Sequence, residues 1–324
     1  MKTMKLKGLF LCLVFLLCNA TSHAADDLIT RQVTIKLDKA GTLPDKIGSS
    51  RKYKITNLKI VGEINGTDWR LIRDMAGRDF DRTETSGELS VLDLSEAKIV
   101  SGGSRYDAHT FRSTPNNCIG ENAFVFCSGL TSIILPSGVT SIGGAAFEDC
   151  SGLTSLTIPS GVTEIGASTF RGCSGLTSLT LPSSITSINL GVFRGCSGLT
   201  SLTIPSCVTL IDDYAFEDCS GLTSIYVYPE KVPILRKDTF SGCDAKNCTV
   251  YVPTGTYDDY WLSDFGYFEN IVEFDATGID KVTTSNGAKE LSRYSVNGQR
   301  LSAPAKGLNI VKYSDGSVKK VAVQ

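Results

Sequence analysis

Cysteine is the residue type whose spacing in this chain most directly suggests chemistry. A series of cysteines recurs every 23 residues, with the last one residue late: Cys127, Cys150, Cys173, Cys196, Cys219 and Cys243. Thiolates can bind zinc, but a linear series does not bring four ligands together in a tetrahedron. Disulfides between neighbours are not excluded by the spacing alone. We predict that these thiols are reduced and that each occupies the same small, buried apolar niche.

The remaining candidates for chemistry are few. Cys118, Cys207 and Cys248 fall outside the series, and we expect them to be accessible. His109 is the one histidine outside the first 24 residues, and it lies in a loop-like stretch without a recognisable catalytic motif. The acidic pairs lack the alternating spacing of a calcium-binding loop, and we interpret them as a solvated edge: Glu148-Asp149, Asp212-Asp213 and Glu217-Asp218. We therefore expect no catalytic residue, no metal, no cofactor and no enzymatic activity.

Residues 1–24 have the pattern of a secretory signal peptide. Lys2, Lys5 and Lys7 precede an apolar run that is too short to cross a membrane, and the residues ending at Ala24 fit a cleavage site. The alternative is a lipoprotein acylated at Cys18. Either reading predicts a secreted or surface-attached bacterial protein. No later segment is apolar enough to predict a transmembrane helix.

The charge distribution argues against nucleic acid as a partner. Removing residues 1–24 leaves 29 basic and 34 acidic residues. Residues 119–233 hold three basic and nine acidic side chains, whereas residues 276–324 hold eight basic and three acidic ones. The central region therefore lacks the cationic surface that phosphate backbones require.

The central region consists of repeats. Five 23-residue units begin at Ile119, Ile142, Ile165, Ile188 and Ile211, and a sixth, degenerate unit retains Phe240, Cys243 and the run Val250-Tyr251-Val252-Pro253. One such unit cannot bury its own apolar residues, so stacking on its neighbours must form the core. The period predicts a repeat solenoid over residues 119–275.

One unit, residues 142–164, shows what each coil must do. Leu156 and Ile158 alternate with Ser155 and Thr157, as in a short strand with one buried face. A turn follows at residues 159–161, and a short helical or irregular segment packs its apolar residues inward, among them Phe147 and Cys150. We expect Ser151-Gly152 to end that segment, with the glycine in the left-handed conformation.

The motif F-x-x-C-S-G-L-T-S-L-T-I-P-S-G-V-T-x-I resembles the BspA-like (Treponema-type) leucine-rich repeat of bacterial surface proteins. Upstream, residues 58–68 and 72–77 resemble the N-terminal capping repeat of that family, which assigns residues 25–118 to a cap and divergent first repeats. The resemblance implies a right-handed coil with a parallel β-sheet on one face. It also implies a role in adhesion or protein–protein interaction, without catalysis.

The C-terminal residues 276–324 differ in kind. Asn297-Gly298 and Asp315-Gly316 separate short β-rich runs, a strong hairpin signal. We predict a small antiparallel β module over residues 291–323. This segment resembles the C-terminal sorting segments of secreted Bacteroidetes proteins, and the alternative is a module without a sorting role.

The outward face of the repeat strands is the candidate ligand-binding surface. Its side chains are hydroxyls that give way to tyrosines at the C-terminal end: Ser155, Thr157, Ser178, Thr180, Ser201, Thr203, Ser224, Tyr226, Tyr228 and Tyr251. Tyr257, Tyr260 and Trp261 follow nearby. We expect an extracellular protein as the ligand, anchored at the aromatic end. A glycan is the alternative ligand, and a surface that serves only strand stability and solubility remains open as well.

Overall fold

The structure is a computed structural model that describes residues 28–110, 114–276, 290–295, 300–301, 307–313 and 318–323. The expected signal peptide, Cys18 and the two turn dipeptides Asn297-Gly298 and Asp315-Gly316 lie outside the described residues. Within them, every helix is too short or too polar to cross a membrane.

A single parallel sheet runs through most of the chain. Its ten strands, in spatial order, are β1 (Val33–Leu37), β2 (Asn57–Ile64), β3 (Val91–Ile99), β5 (Ser132–Ile134), β7 (Ser155–Thr157), β9 (Ser178–Thr180), β11 (Ser201–Ile204), β13 (Ser224–Val227), β15 (Thr249–Pro253) and β16 (Asn270–Phe274). Ser155 pairs with Ser178, and Leu179 pairs with Leu202. The repeat leucines therefore stack in one column, which confirms the predicted solenoid.

Shorter strands form a second side of each coil. They make two three-stranded parallel sheets: β4 (Cys118–Ile119), β6 (Ser141–Ile142) and β8 (Glu164–Ile165), then β10 (Ser187–Ile188), β12 (Leu210–Ile211) and β14 (Ile234–Leu235). A run of turns completes each repeat between the short strand and the next long one. Sequence analysis predicted that this segment would be helical or irregular, and the structure shows turns.

A column of phenylalanines fills the core. The rings of successive coils lie nearly parallel with centroids 5.3–5.6 Å apart, in the order Phe124, Phe147, Phe170, Phe193, Phe216 and Phe240. Trp69 packs edge-on against the first ring at 5.4 Å. Phe265 and Phe268 pack on the last ring at 5.3 and 5.1 Å. Such ring pairs stabilise the fold by more than the apolar area that they bury. The core continues through every coil, and aromatic residues close it at both ends.

The glycine of the repeat motif has a different role from the one expected. Gly152 does not have positive φ; the left-handed residues of that coil are Ala145 and Asp149, with φ 52° and 55°. Gly152 is needed for space, because a Cβ there would meet the carbonyl oxygen of Ser128 at 2.2 Å. Gly175 faces the Ser151 oxygen in the same way, at 2.4 Å. The coils stack too closely at this position for any side chain.

The six cysteines of the series are buried and free of disulfides, as predicted. Their niche is not purely apolar, however. The thiol of Cys150 donates to the carbonyl oxygen of Phe124 in the preceding coil at 3.0 Å, and later coils repeat this contact. The expectation of accessibility was wrong for two of the other three cysteines. Cys118 and Cys248 are buried, and Cys207 is exposed.

The N-terminal part joins the same sheet through β1, β2 and β3, with helix α1 (Leu43–Ile47) and helix α2 (Gly66–Met75) on the way. Asn65 caps α2, and its backbone N–H donates to Asp68 in return. The fully buried Arg73 on α2 donates to Asp107 at 3.0 Å and to the Asn122 carbonyl of the first repeat at 2.5 Å. The buried ion pair thus lies within the N-terminal part, and Arg73 joins that part to the first repeat through its hydrogen bond to the Asn122 carbonyl.

The last coil ends in helix α3 (Tyr257–Trp261) and a 3₁₀ helix (Asp264–Tyr267) before β16. Beyond it, strands β17 (Glu290–Ser295), β18 (Arg300–Leu301), β19 (Gly307–Tyr313) and β20 (Val318–Val323) form an antiparallel sheet in the order β18-β17-β19-β20. This confirms the predicted antiparallel module.

Candidate functional site

The outward side chains of the repeat strands form two straight rows across the sheet, which we call the strand face. One row contains the serines and ends in Thr249, and the other contains the threonines and ends in tyrosines: Ser155, Ser178, Ser201, Ser224 and Thr249, then Thr157, Thr180, Thr203, Tyr226 and Tyr251. Parallel pairing in register produces this arrangement, because each strand places equivalent residues beside one another. The structure therefore brings these predicted residues together.

The hydroxyls of the strand face are available to a ligand. Thr157 and Thr180 are exposed, and Thr203 is half-buried. In the described part of the chain, none of these three makes a side-chain hydrogen bond. Threonines just before the strands behave differently: Thr154 donates to the Thr131 carbonyl of the preceding coil at 3.2 Å, and Thr200 does the same to Thr177. The sequence did not distinguish these two kinds of threonine.

An aromatic cluster stands at the C-terminal end of the strand face. Tyr226 and Tyr251 stack with centroids 4.6 Å apart and planes 8° apart. Phe274 packs edge-on against Tyr226 at 6.1 Å and against Tyr228 at 5.2 Å. Burial, followed by the neighbouring Tyr251 and Tyr228, raises the pKa of Tyr226 to about 12. These four residues, which we call the aromatic cluster, form a partly desolvated, neutral patch.

Sequence analysis missed part of this surface. Phe274 completes the aromatic cluster, and Val272 lies beside Tyr251 with 45% of its surface exposed. Both residues belong to β16, and the alternating run Asn270-Ile271-Val272-Glu273-Phe274 was the available signal for that strand. At the opposite end of the sheet, Lys59 lies 3.4 Å from Asp93 and 2.6 Å from Glu96. The outward side of the sheet therefore runs from this charged group past the exposed Ile134 to the hydroxyls and then to the aromatic cluster.

The other aromatic residues named from the sequence do not join the cluster. Tyr260 is fully buried, and its hydroxyl donates to the Pro229 carbonyl at 2.7 Å. Tyr257 and Trp261 are exposed on α3 and stack on each other with centroids 6.1 Å apart. They form a separate aromatic pair on the surface.

The residues considered for catalysis or metal binding make structural contacts. Glu148 lies 3.0 Å from Arg171, and Asp212 lies 3.3 Å from Arg236, so these acidic side chains pair with arginines of the following coil. Among the described residues, no three histidine, cysteine or acidic side chains group as a metal site. His109 is exposed, and its Nδ1 lies 3.6 Å from Asp107, which is already bound to two arginines.

The repeats of this chain match a known protein family. Residues 117–247 match the BspA type leucine rich repeat region in six copies. No curated protein matches the chain. Among solved structures, the T. pallidum leucine rich repeat protein is 29% identical, with a TM-score of 0.39, over 50% of this chain and 77% of that one.

Two further solved structures are similar at lower identity. A leucine-rich repeat protein from Bacteroides ovatus is 20% identical over 75% of this chain and 70% of that one, with a TM-score of 0.37. The pneumococcal vaccine antigen PcpA is 13% identical over 68% of this chain and 69% of that one, with a TM-score of 0.39. The repeat match, rather than these superpositions, assigns the family. This chain is a leucine-rich-repeat protein whose residues 117–247 belong to the BspA type.

Proposed function

We propose that this chain is a secreted or surface-exposed protein that mediates adhesion by binding an extracellular protein on its strand face, without a catalytic step. The repeat type supports a binding role, since proteins built from such repeats generally act through protein–protein contacts. The proposed location includes a cleaved leader or acylation at Cys18, and attachment to the outer surface through the segment 276–324.

The aromatic cluster is the observation that carries this proposal. Rows of serine and threonine offer many hydrogen bonds, each worth only about 0.5–1.5 kcal/mol net, because water competes for them. Tyrosine adds a large apolar area with a polar tip at little entropic cost. Tyr226, Tyr228, Tyr251 and Phe274 are already packed on one another, so a ligand need not order them.

The test is binding of the full mature protein to an array of extracellular-matrix proteins, followed by titration of any protein that binds. Tyr226→Ala combined with Tyr251→Ala should weaken binding at least tenfold, or about 1.4 kcal/mol. Thr180→Ala is the matched control on the same face and should change affinity little. Thermal unfolding of each variant checks that replacing the half-buried tyrosines has not destabilised the fold. If the tyrosine pair proved silent while Thr180→Ala abolished binding, the proposed anchor would be wrong.

A glycan ligand is the second candidate, and a separate observation favours it. Tyr257 and Trp261 expose parallel rings on α3, and exposed aromatic rings can hold a sugar ring. Tyr226 and Tyr251 are half-buried and stack more closely, with centroids 4.6 Å apart against 6.1 Å for Tyr257 and Trp261. A glycan array probed with the mature protein and with Trp261→Ala separates the two: sugar binding lost in Trp261→Ala but kept in the tyrosine double variant would favour the glycan function.

A further inference from the structure

The turns of the repeats are joined by a directional ladder of backbone hydrogen bonds. In each coil, three N–H groups at alternate residues donate to three alternate carbonyls of the next coil. Ala145, Phe147 and Asp149 donate in this way to Ala167, Thr169 and Arg171 at 2.7–2.9 Å. The last such set joins Tyr214, Phe216 and Asp218 to Lys237, Thr239 and Ser241. Each coil thus needs a following coil to accept its N–H groups.

The chain caps the other end of this ladder with its own side chains. The carbonyl of Glu121, which no coil precedes, accepts from the hydroxyls of Tyr106 at 2.7 Å and Thr110 at 3.2 Å. The carbonyl of Ala123 accepts from the guanidinium of Arg73 at 3.3 Å. Buried carbonyls left without a donor would cost free energy, and these donors remove that cost.

The C-terminal end of the ladder has no equivalent cap in the described residues. Asp238, Phe240 and Gly242 occupy the donor positions of the last coil, and Asp238 and Gly242 keep the positive φ of their counterparts in earlier coils. No acceptor for their three N–H groups lies within the part of the chain that the structure describes. A cleft of about 530 Å³ opens beside Asp238 and Phe240, with Leu235, Asp264 and Tyr267 in its walls.

We infer that this cleft binds an extended peptide segment of another protein, which adds to the turn ladder as one more rung. The preceding coils show what these donors accept: three carbonyl oxygens at alternate residues of an adjacent backbone. Peptides bind open edges of β-sheets by the same principle, with main-chain hydrogen bonds supplying affinity. This site is separate from the strand face and does not depend on the proposed function.

The surroundings of the cleft define the peptide further. Phe265 and Phe268 already cover the ring of Phe240, so the peptide has no place for the phenylalanine that a true coil would contribute. It must present a small side chain there. The donors are spread over alternate residues. Both cations of the lining are paired, Arg236 with Asp212 at 3.3 Å and Lys237 with Asp238 at 3.7 Å, and Asp264 adds a negative charge. A single compact anion therefore fits less well than a peptide backbone.

The experiment follows amide hydrogen exchange by NMR in the full mature chain. The probe is a blocked peptide with the sequence of residues 235–242 and the change Phe240→Ala, since residues 237–241 make the equivalent contacts on the coil before. Without the probe, the amides of Asp238, Phe240 and Gly242 should exchange faster than those of Tyr214, Phe216 and Asp218. With saturating probe, the first three should slow at least about tenfold while the other three stay unchanged.

Two variants test the location of binding. Asp264→Trp fills the cleft and should abolish the slowing, whereas Asp258→Trp, on the exposed side of α3, should leave it intact. Protected amides at Tyr214, Phe216 and Asp218 in both variants show that the fold is retained. Exchange at the three donors that does not respond to the probe, or that is already slow without it, would overturn the inference. The same slowing produced by inorganic phosphate alone would also overturn it, in favour of an anion site.

Discussion

The thiol of Cys173 donates a hydrogen bond to the carbonyl oxygen of Phe147 in the preceding coil, with sulfur and oxygen 3.1 Å apart. Sequence analysis predicted a small apolar niche for this cysteine, and the hydrogen bond shows that the description as apolar was wrong. The same contact joins Cys196 to Phe170 and Cys219 to Phe193. The cysteine series is therefore a line of side-chain hydrogen bonds between coils.

Replacing Cys173 therefore tests the hydrogen bond. Cys173→Ser keeps a donor facing the Phe147 carbonyl, but its shorter bond to Cβ draws that donor back from the oxygen, so we expect a cost of about 1 kcal/mol, the net contribution of one hydrogen bond. Cys173→Val removes the donor and adds volume in a tight site, and should cost roughly 1–3 kcal/mol. Urea unfolding measures both free energies. A serine variant less stable than the valine variant would contradict the hydrogen-bond role.

The reactivity of the thiols should follow their burial. Burial raises the pKa of Cys173 to about 12, and it raises the pKa values of Cys150 and Cys196 as well, so these thiols stay protonated near neutral pH. Cys207 is exposed. We expect an alkylating reagent to modify Cys207 in the folded protein and the buried cysteines only after denaturation. Peptide mapping by mass spectrometry distinguishes them. Modification of Cys173 before Cys207 would argue against this packing.

Close stacking of the coils predicts a position-specific effect of alanine. Gly175→Ala would place a Cβ 2.4 Å from the Ser151 carbonyl oxygen, and should lower the free energy of unfolding by roughly 1–3 kcal/mol. Gly129 occupies the same motif position in the first repeat, where nothing lies within 4 Å of an added Cβ. Gly129→Ala is thus the matched control and should be nearly neutral in urea unfolding. Equal losses in the two variants would show that packing against the preceding coil is not the cause.

The buried ion pair of the N-terminal part, between Arg73 and Asp107, predicts a dependence of stability on pH. Burial would raise the pKa of Asp107, but hydrogen bonds from Arg82 and the charge of Arg73 outweigh it, so the pKa lies below its usual value. Since the folded pKa is below the unfolded value of about 3.9, the stabilisation is present above about pH 4 and is lost as the pH falls through the folded pKa.

Asp107→Asn should therefore destabilise the protein at pH 7 by about 3–5 kcal/mol, because Arg73 stays buried without a countercharge. The difference in the free energy of unfolding between Asp107→Asn and the unmodified chain should become smaller near pH 3. The urea midpoint at the two pH values measures this, with the exposed Asp81→Asn as control. A penalty that does not change with pH would assign Asp107 a role other than charge pairing.

Much of the fold was predictable from the sequence because a strict 23-residue period leaves few alternatives. Each coil must pack on a near copy of itself, so Leu179, Phe170 and Cys173 had to fall into columns, and the hydroxyls of the strand face had to form rows. The antiparallel module followed from short β-rich runs between hairpin signals.

The tertiary structure decided what happens where the copies end. Arg73 and Asp107 are 34 residues apart and outside the repeats, so no spacing could pair them. Phe274 meets Tyr226 only because β16 adds to the edge of the sheet. Cys118 and Cys248 are buried although neither belongs to the cysteine series. Periodicity determines contacts between equivalent residues, whereas contacts between unlike segments depend on how the chain packs in three dimensions.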